Sequence, residues 1–559
     1  MALRGNGQLL LRVAARSGPA AMLAAPRGTL LRGYTLKPLS PARSPAVAAA
    51  AGVAAAVVPP TQQWLLATPA ASGQDASPWD TAHAAAQATG YDHFVEPDIL
   101  HERDTPPPAQ LDGGLNPDWP PTGDAISPGW HLEPDWTGFA AVRGTATGTG
   151  IRIAHLDTGN WPAHVSTPRR LRPDLGWDFW NNQQSTVDPG SPGILVMPGH
   201  GTATLALLAG STMNLTLGTG HYEGDVGGAP DAEVVPVRIG PSVIHLCTST
   251  MAQGLYYAMA PSGDPAHPNP ANRCDVVSIS HGGLPSVAWA AAINAVYEAG
   301  IVVVAASGDS IFLEVMDIAT RYTVYPAAFN RVITAVGATY DKKPYITTKF
   351  GDLQGCWGPD TVMQKAIAAF TPNVPWMKFE TTDGFDMSGG GTSASTPQVA
   401  AACALWLQLF GNRLAADWHR VEACRLALFG GADDKNPDIS ELGRGLLNVT
   451  AMLDSGLAGR AIAAVANGTA KMSAADSVSF PFWRLLIGLA PPDSVQEEMY
   501  QAEVAQVVAG SKNPALRAAA RDAASATPAA IDDATRAKYR DMLAGEGISV
   551  ALKQRLGAA

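Results

Sequence analysis

The chain reads as an α/β protein on a mainly parallel sheet, and three observations lead there. Apolar runs rich in β-branched residues recur at Ile151–Leu156, Asp275–Ile279, Ile301–Ala306 and Val332–Gly337, without the polar alternation of a half-exposed strand. Longer apolar stretches between and after them, 200–208 and 393–410, have helical start and stop signals. Residues able to do chemistry stand where these segments begin or end.

Ile151-Arg152-Ile153-Ala154-His155-Leu156 runs into Asp157, and the Thr-Gly-Asn that follows is a turn. A carboxylate is thereby placed at a strand's carboxyl end, where open α/β sheets locate their sites. His200-Gly201-Thr202 opens a helix stopped by Gly210, which puts an imidazole at a helix start. Gly391-Thr392-Ser393-Ala394-Ser395-Thr396-Pro397 opens a longer helix running to about Phe410, with Pro397 tolerated in its first turn. The glycines at 389–391 let backbone approach a substrate closely, and the helix amino end favours a developing negative charge.

These three segments hold what a serine nucleophile needs. The hydroxyl is weak at neutral pH, so an imidazole must take its proton and a carboxylate must fix the imidazole's tautomer. Asp157, His200 and Ser393 fill those roles. Asp-Thr-Gly is also the signature of aspartic peptidases, but that dyad needs two carboxylates and the motif occurs once.

The order Asp, His, Ser, together with Gly-Thr-Ser-Ala-Ser-Thr-Pro, resembles the subtilisin-like serine peptidases over roughly residues 128–455. The resemblance implies a three-layer α/β catalytic domain that hydrolyses protein or peptide substrates through an acyl-enzyme. Asp275 to Gly283 is similar to the family strand that borders substrate, which makes Ser280, His281 and Gly282 substrate-binding candidates. Tyr325–Phe329 and Val332–Ala338 resemble the segment after the pocket floor. No cofactor is required by this chemistry. Many subtilisins bind calcium, but no ligand run marks a metal site here.

Asp309 is the main departure. Ile301–Gly308 resembles the strand that delivers the family's oxyanion-hole asparagine, yet the next residue is an acid, and an ionised carboxylate repels an oxyanion. Either Asp309 is protonated or another group donates. Ser307-Gly308-Asp309-Ser310 is similar to the sedolisin peptidases, where an aspartic acid fills this position. Those enzymes replace the histidine with helix acids, and residues 201–209 carry none. A subtilisin triad with a sedolisin-like oxyanion hole is therefore expected; a catalytically impaired binding module and an aspartic-type peptidase on Asp157 are the alternatives. Ala394 and Gln398 stand where subtilisins usually have methionine and histidine, and Ala394 removes an oxidisable thioether beside the nucleophile.

The flanks divide the 559 residues further. Residues 1–74 hold no Asp or Glu, and Arg12, Arg16, Arg27 and Arg32 interrupt the apolar runs near the amino end, so no clear signal peptide emerges. Ala46–Val58 is too short to span a bilayer. Strands are expected at Gln8–Ala15, Thr29–Leu39, Gln63–Ala67 and His93–Leu100, with a helix at Trp79–Thr89. Tyr91–Ile99 resembles the closing strand of the inhibitory prodomains that precede many subtilisins. This implies that residues 1–104 form an α+β intramolecular inhibitor, 105–127 a linker containing the processing region, and that the enzyme acts in an extracytoplasmic or secreted setting. Residues 456–559 read as a helical C-terminal extension, with runs at Val495–Val508 and Ala530–Leu543, packing on the enzyme or on a partner.

The net charge of −11 argues against nucleic acid as a partner, and no transmembrane segment is expected. Cys247, Cys274, Cys356, Cys403 and Cys424 are odd in number and have no zinc spacing; Cys247 with Cys274 is a conceivable pair. The sequons at Asn214, Asn448 and Asn467 matter only in a glycosylating host.

Overall fold

The computed structural model describes residues 3–14, 31, 33–39, 62–70, 77–102, 115–123, 125–190, 197–243, 245–311, 322–349, 352–433, 439–468, 470–475, 488, 494–511, 513–516 and 532–557. Ala46–Val58 and linker residues 105–114 lie outside them.

Strands β1 (Gly5–Ala14), β2 (Tyr34–Pro38), β3 (Gln62–Pro69) and β4 (Phe94–Glu102), with helix α1 (Pro78–Ala88), make up the N-terminal region. Ser77 caps α1 by accepting the Asp80 N–H, and Pro78 takes the first turn. The catalytic portion follows with β5 (Arg152–Asp157), β6 (Trp177–Asp178), helix α2 (His200–Ala209), the hairpin β7 (Thr212–Leu217) and β8 (Gly220–Asp225), and β9 (Glu233–Arg238). Next come β10 (His245–Cys247), α3 (Thr248–Tyr257), β11 (Val276–Ile279), α4 (Val287–Glu298), β12 (Val302–Ala306) and β13 (Asp309–Ile311). Strands β14 (Val332–Ala338), β15 (Leu353–Gly355), β16 (Ala366–Phe370), β17 (Val374–Met377) and β18 (Phe385–Gly389) lead into α5 (Thr392–Phe410). Helices α6 (Trp418–Gly430), α7 (Ser455–Val465), α8 (Val495–Gly510), α9 (Asp533–Ala544) and α10 (Val550–Leu556) close the described chain.

Seven strands form one sheet in the order β16-β14-β12-β11-β5-β9-β6, every pair parallel. Its strands read as unbroken apolar runs because both faces are covered. Alternate side chains divide between two cores, as the two-residue period of a strand requires. Leu156, Val237, Val277, Ile279 and Val303 meet Met251 and Leu255 of α3 and Trp289 and Ile293 of α4. Ile153, Val234, Val276, Val302 and Val304 meet Leu205 and Leu208 of α2 and Val399 to Leu405 of α5. The three-layer α/β expectation is met. Ala458, Ala461 and Val465 of α7 join the second core although they follow residue 455.

A second sheet, all antiparallel, runs β10-β4-β1-β3-β2, so a strand of the catalytic portion completes the N-terminal sheet. Leu9, Leu11, Trp64, Trp79 and Phe94 share the core formed by α3 and α4. The expected N-terminal strands and helix are present, with the Thr29–Leu39 strand confined to Tyr34–Pro38. All five cysteines are free and buried, so Cys247 and Cys274 are not paired. Among the described residues, no helix is long and apolar enough to cross a membrane.

The first turn of α2 lies against the turn after β5: a Cβ on Gly201 would fall onto the Gly159 carbonyl oxygen. Gly201→Ala must push the helix off that turn. It is expected to lower stability by roughly 1–3 kcal/mol, the usual cost of overpacking, measured as a lower denaturation midpoint with an unchanged m-value.

Candidate active site

Asp157 ends β5 at the carboxyl edge of the sheet and is 1 % exposed. A carboxylate this buried needs donors on every side. Oδ1 accepts from His200 Nδ1 at 2.8 Å and from the Thr158 N–H at 2.7 Å, and Oδ2 accepts from Thr204 Oγ at 3.0 Å. Burial alone would raise the Asp157 carboxyl. The nearby His200 and His281 and the bond from His200 more than offset it, holding the group well below the usual carboxylate range. The bond to Nδ1 fixes the His200 tautomer with Nε2 as the basic nitrogen.

The placement of His200 follows from its neighbours. Thr158 Oγ accepts the Gly201 N–H at 3.0 Å, and Asp188 Oδ2 accepts the Gly199 N–H at 2.8 Å. The start of α2 is thus tied to the turn that carries Asp157. Arg238, at the end of the next strand, donates from Nε to the Thr158 carbonyl at 2.7 Å and pairs with buried Asp178 at 2.9 Å.

Ser393 lies in the first turn of α5, 8 % exposed. Its Oγ donates to the Ser280 carbonyl at 3.4 Å, and Ser280 Oγ donates back to the Ser393 carbonyl at 3.1 Å. The nucleophile candidate is therefore fastened to the segment just past β11. His281, next along, stands edge-on to His200 with ring centroids 6.0 Å apart. Trp376 packs edge-on against the same His200 ring at 5.7 Å.

The His281 side chain is fully buried, with Nδ1 4.0 Å from Asp157 Oδ1, so it faces Asp157 and His200. Burial pushes its imidazole down to about 4 and keeps it neutral at physiological pH. β11 is hydrogen-bonded on both sides, by β5 and β12, and has no open edge; residues after it, such as Gly283, which bridges to Tyr325, leave the sheet.

Asp309 opens β13 beside the amino end of α5. Its Oδ1 accepts the Thr392 N–H at 2.8 Å, and its Oδ2 is 3.3 Å from Thr392 Oγ, which also accepts the Gly308 N–H. Gly391, with φ +77°, brings its backbone so close that a Cβ there would stand 2.9 Å from Asp309 Oδ2. Both of these side-chain bonds come from Thr392, the residue preceding Ser393.

Two further residues beside Asp157 were not singled out from the sequence. His155 Nε2 is 2.8 Å from Thr204 Oγ, and that hydroxyl donates onward to Asp157 Oδ2. Burial pushes His155 down to about 4, so as a neutral imidazole it donates to Thr204 while Thr204 donates to Asp157. The position of His155, two residues before Asp157 and hence on the same strand face, was the one available hint.

Among the described residues, no group of three or more His, Cys, Asp or Glu is placed to hold a metal ion. Subtilases need no cofactor for catalysis.

The sequence model of the subtilase family matches residues 148–436. The chain is 29 % identical to an alkaline protease of Alkalihalobacillus alcalophilus over 328 residues, 56 % of this chain and 72 % of that protein. It is 29 % identical to subtilisin BL of Lederbergia lenta over 261 residues, 46 % and 77 % of the two chains. A minor extracellular protease of Bacillus subtilis is 27 % identical over 282 residues, 50 % of this chain and 35 % of that one. The buried Asp–His bond, the serine at a helix start beyond a parallel sheet and these matches agree: the chain belongs to the subtilase family and is a serine endopeptidase.

Proposed function

We propose that Asp157, His200 and Ser393 are the catalytic triad of this endopeptidase, and the observation that carries it is the 2.8 Å bond from His200 Nδ1 to buried Asp157. Rotation about χ1 turns Ser393 Oγ from the Ser280 carbonyl toward His200 Nε2. Oγ then attacks the scissile carbonyl carbon while Nε2 takes its proton, and the imidazolium formed is stabilised by Asp157. Nε2 returns the proton to the leaving amine, giving the acyl-enzyme. Water, deprotonated by the same nitrogen, releases the acid and restores Ser393.

The developing oxyanion is held by the Ser393 backbone N–H at the amino end of α5 and by Asp309 in its protonated form. In the resting structure both Asp309 oxygens accept from Thr392, Oδ1 from its N–H and Oδ2 from its hydroxyl, so the donating form requires a proton on this carboxyl. Ser280, His281 and Gly282 contribute through their backbone at the end of β11, where an extended substrate would lie.

We also propose that residues 1–104 are an inhibitory prodomain. Two of its acids support this by serving helices of the catalytic portion. Glu96 accepts from Ser286 Oγ at 2.7 Å and from the Val287 and Ala288 N–H groups, at the start of α4. Asp98 accepts from the Ser249 N–H and Oγ at 2.8 and 2.7 Å, at the start of α3. Each negative charge meets a positive helix end with unpaired donors. His101, near the end of β4, accepts the Leu284 N–H at 3.0 Å and stacks on Trp289, which brings the strand's end to the segment following Gly282. A prodomain of this kind, and a relative named as extracellular, favour action outside the cytoplasm; recovery of the protein from cells and not from medium would contradict that.

Four outcomes test these readings. In subtilisin, loss of a triad member costs on the order of 10⁶ in kcat, so Ser393→Ala is expected to leave only background hydrolysis; turnover like the parent's would end the serine assignment. Thr204→Val strands a buried oxygen of Asp157 and the donor of His155, an unsatisfied cost of about 1–3 kcal/mol, and is expected to lower kcat/KM about tenfold or more with little change in KM. Asp309→Asn supplies a permanent N–H donor, so its kcat/KM profile should keep activity at alkaline pH where the parent's falls.

The fourth concerns pH. Burial pushes Glu96 up to about 7 against the bonds from Ser286, Ala288 and Val287, and raises Asp98 as well. The docked carboxyl then binds its proton more tightly than the free one. Docking energy from this source is complete below pH ~4.5 and fades as pH rises through about 7. A separate peptide of residues 1–104 is expected to inhibit more tightly at pH 5 than at pH 8, and Glu96→Gln to flatten that dependence. No inhibition at either pH would contradict the prodomain.

A further inference from the structure

We infer that the C-terminal helices are a second docking surface for the N-terminal region and hold it on the catalytic portion after the chain between them is cut. This rests on the prodomain reading above, and it assigns the described C-terminal residues 494–511 and 532–557 a partner within the same chain.

Helix α8 faces both bodies at once. The Gln506 carboxamide, fully buried, accepts from Trp79 Nε1 of α1 at 2.9 Å and donates to the Pro285 carbonyl, in the loop before α4, at 3.0 Å. One side chain thereby ties the N-terminal helix to the catalytic portion. One turn earlier, Glu503 is completely buried. Its Oε2 meets His83 Nε2 of α1 at 3.0 Å and accepts from Ser549 Oγ at 2.8 Å, and its Oε1 accepts the Ser549 N–H. Ser549 caps α10, and the Val550 N–H donates to Asp80 of α1 at 2.7 Å. At the solvent end, Arg12 of β1 makes a two-pronged pair with Glu498. Between these polar links Met499, Ala502 and Ala505 enter the core that holds Leu9, Leu11 and Trp79.

The consequence concerns release. A detached prodomain held only by β10 and by the caps at Glu96 and Asp98 leaves when those contacts open. Here departure also strips Glu503 of His83 and exposes Trp79 and the apolar stripe of α8. Truncating one partner of a buried, hydrogen-bonded pair acts mainly on the dissociation rate. The extension therefore makes the severed N-terminal region a slowly exchanging subunit, and the enzyme a latent complex after cleavage.

The test uses the full chain, with the recognition sequence of a site-specific protease placed within residues 103–114 so that cutting does not depend on the chain's own activity. After cutting, release of the N-terminal fragment is followed by size-exclusion chromatography under dilution, and peptidase activity is read on the same samples. The fragment is expected to co-elute with the remainder. Gln506→Ala and Arg12→Glu should each release it about tenfold faster or more, and the charge swap Arg12→Glu with Glu498→Arg should restore slow release. Equal release rates in the parent and both single variants would overturn the inference, as would failure of the swap to restore slow release. Retention of the fragment with full peptidase activity would leave the clamp standing and remove the inhibitor reading, so the two can fail separately.

Discussion

One buried negative charge organises the centre of this molecule. Asp157 sits at the end of an interior strand, where water cannot pay its solvation, so protein groups must do so. His200, the Thr158 N–H and Thr204 share the task, while Arg238 and Asp188 hold the turn and the helix start that carry those donors. These partners come from four segments, the turn after β5, the stretch holding Asp188, α2 and β9, and the parallel sheet brings them to one edge. Catalytic geometry is thus a by-product of satisfying a carboxylate.

The same rule governs the contact between the N-terminal region and the catalytic portion. Glu96 and Asp98 are buried acids whose donors are the open amino ends of α4 and α3. Neither helix supplies an acid of its own in its first turn. Glu503 repeats the pattern on the far side, with donors drawn from α1 and from the start of α10. Three buried acids, each hydrogen-bonded across segments distant in sequence, fix how the parts sit together more specifically than apolar burial would, since apolar packing is not directional.

Much of this was legible from the amino-acid sequence, and the reason differs by feature. Asp157, His200 and Ser393 announce themselves because their neighbours are constrained too: Gly201 by the Gly159 carbonyl, Gly391 by its positive φ and by Asp309. The strands were readable because burial on both faces removes polar alternation. His155 and Thr204 were not readable, since a histidine in a strand and a threonine in a helix are ordinary there until the fold sets them 2.8 Å apart. The side-chain direction of His281 was not readable because it follows a strand end, where the two-residue period stops. The burial of the C-terminal helix α8 was hidden for a related reason: Glu503 and Gln506 look like solvated helix residues until α1, the Pro285 loop and, for Glu503, the start of α10 cover them.

The central claim is that Ser393 is a nucleophile activated by His200. Labelling with phenylmethanesulfonyl fluoride, followed by intact mass and peptide mapping, tests it most directly, because the sulfonyl–oxygen bond forms only at an activated hydroxyl as fluoride leaves. The account predicts one sulfonyl group per active molecule, on the peptide containing Ser393, with peptidase activity lost in step and no label in His200→Ala. Sustained peptide hydrolysis with Ser393 unmodified, or equal labelling in His200→Ala, would contradict it.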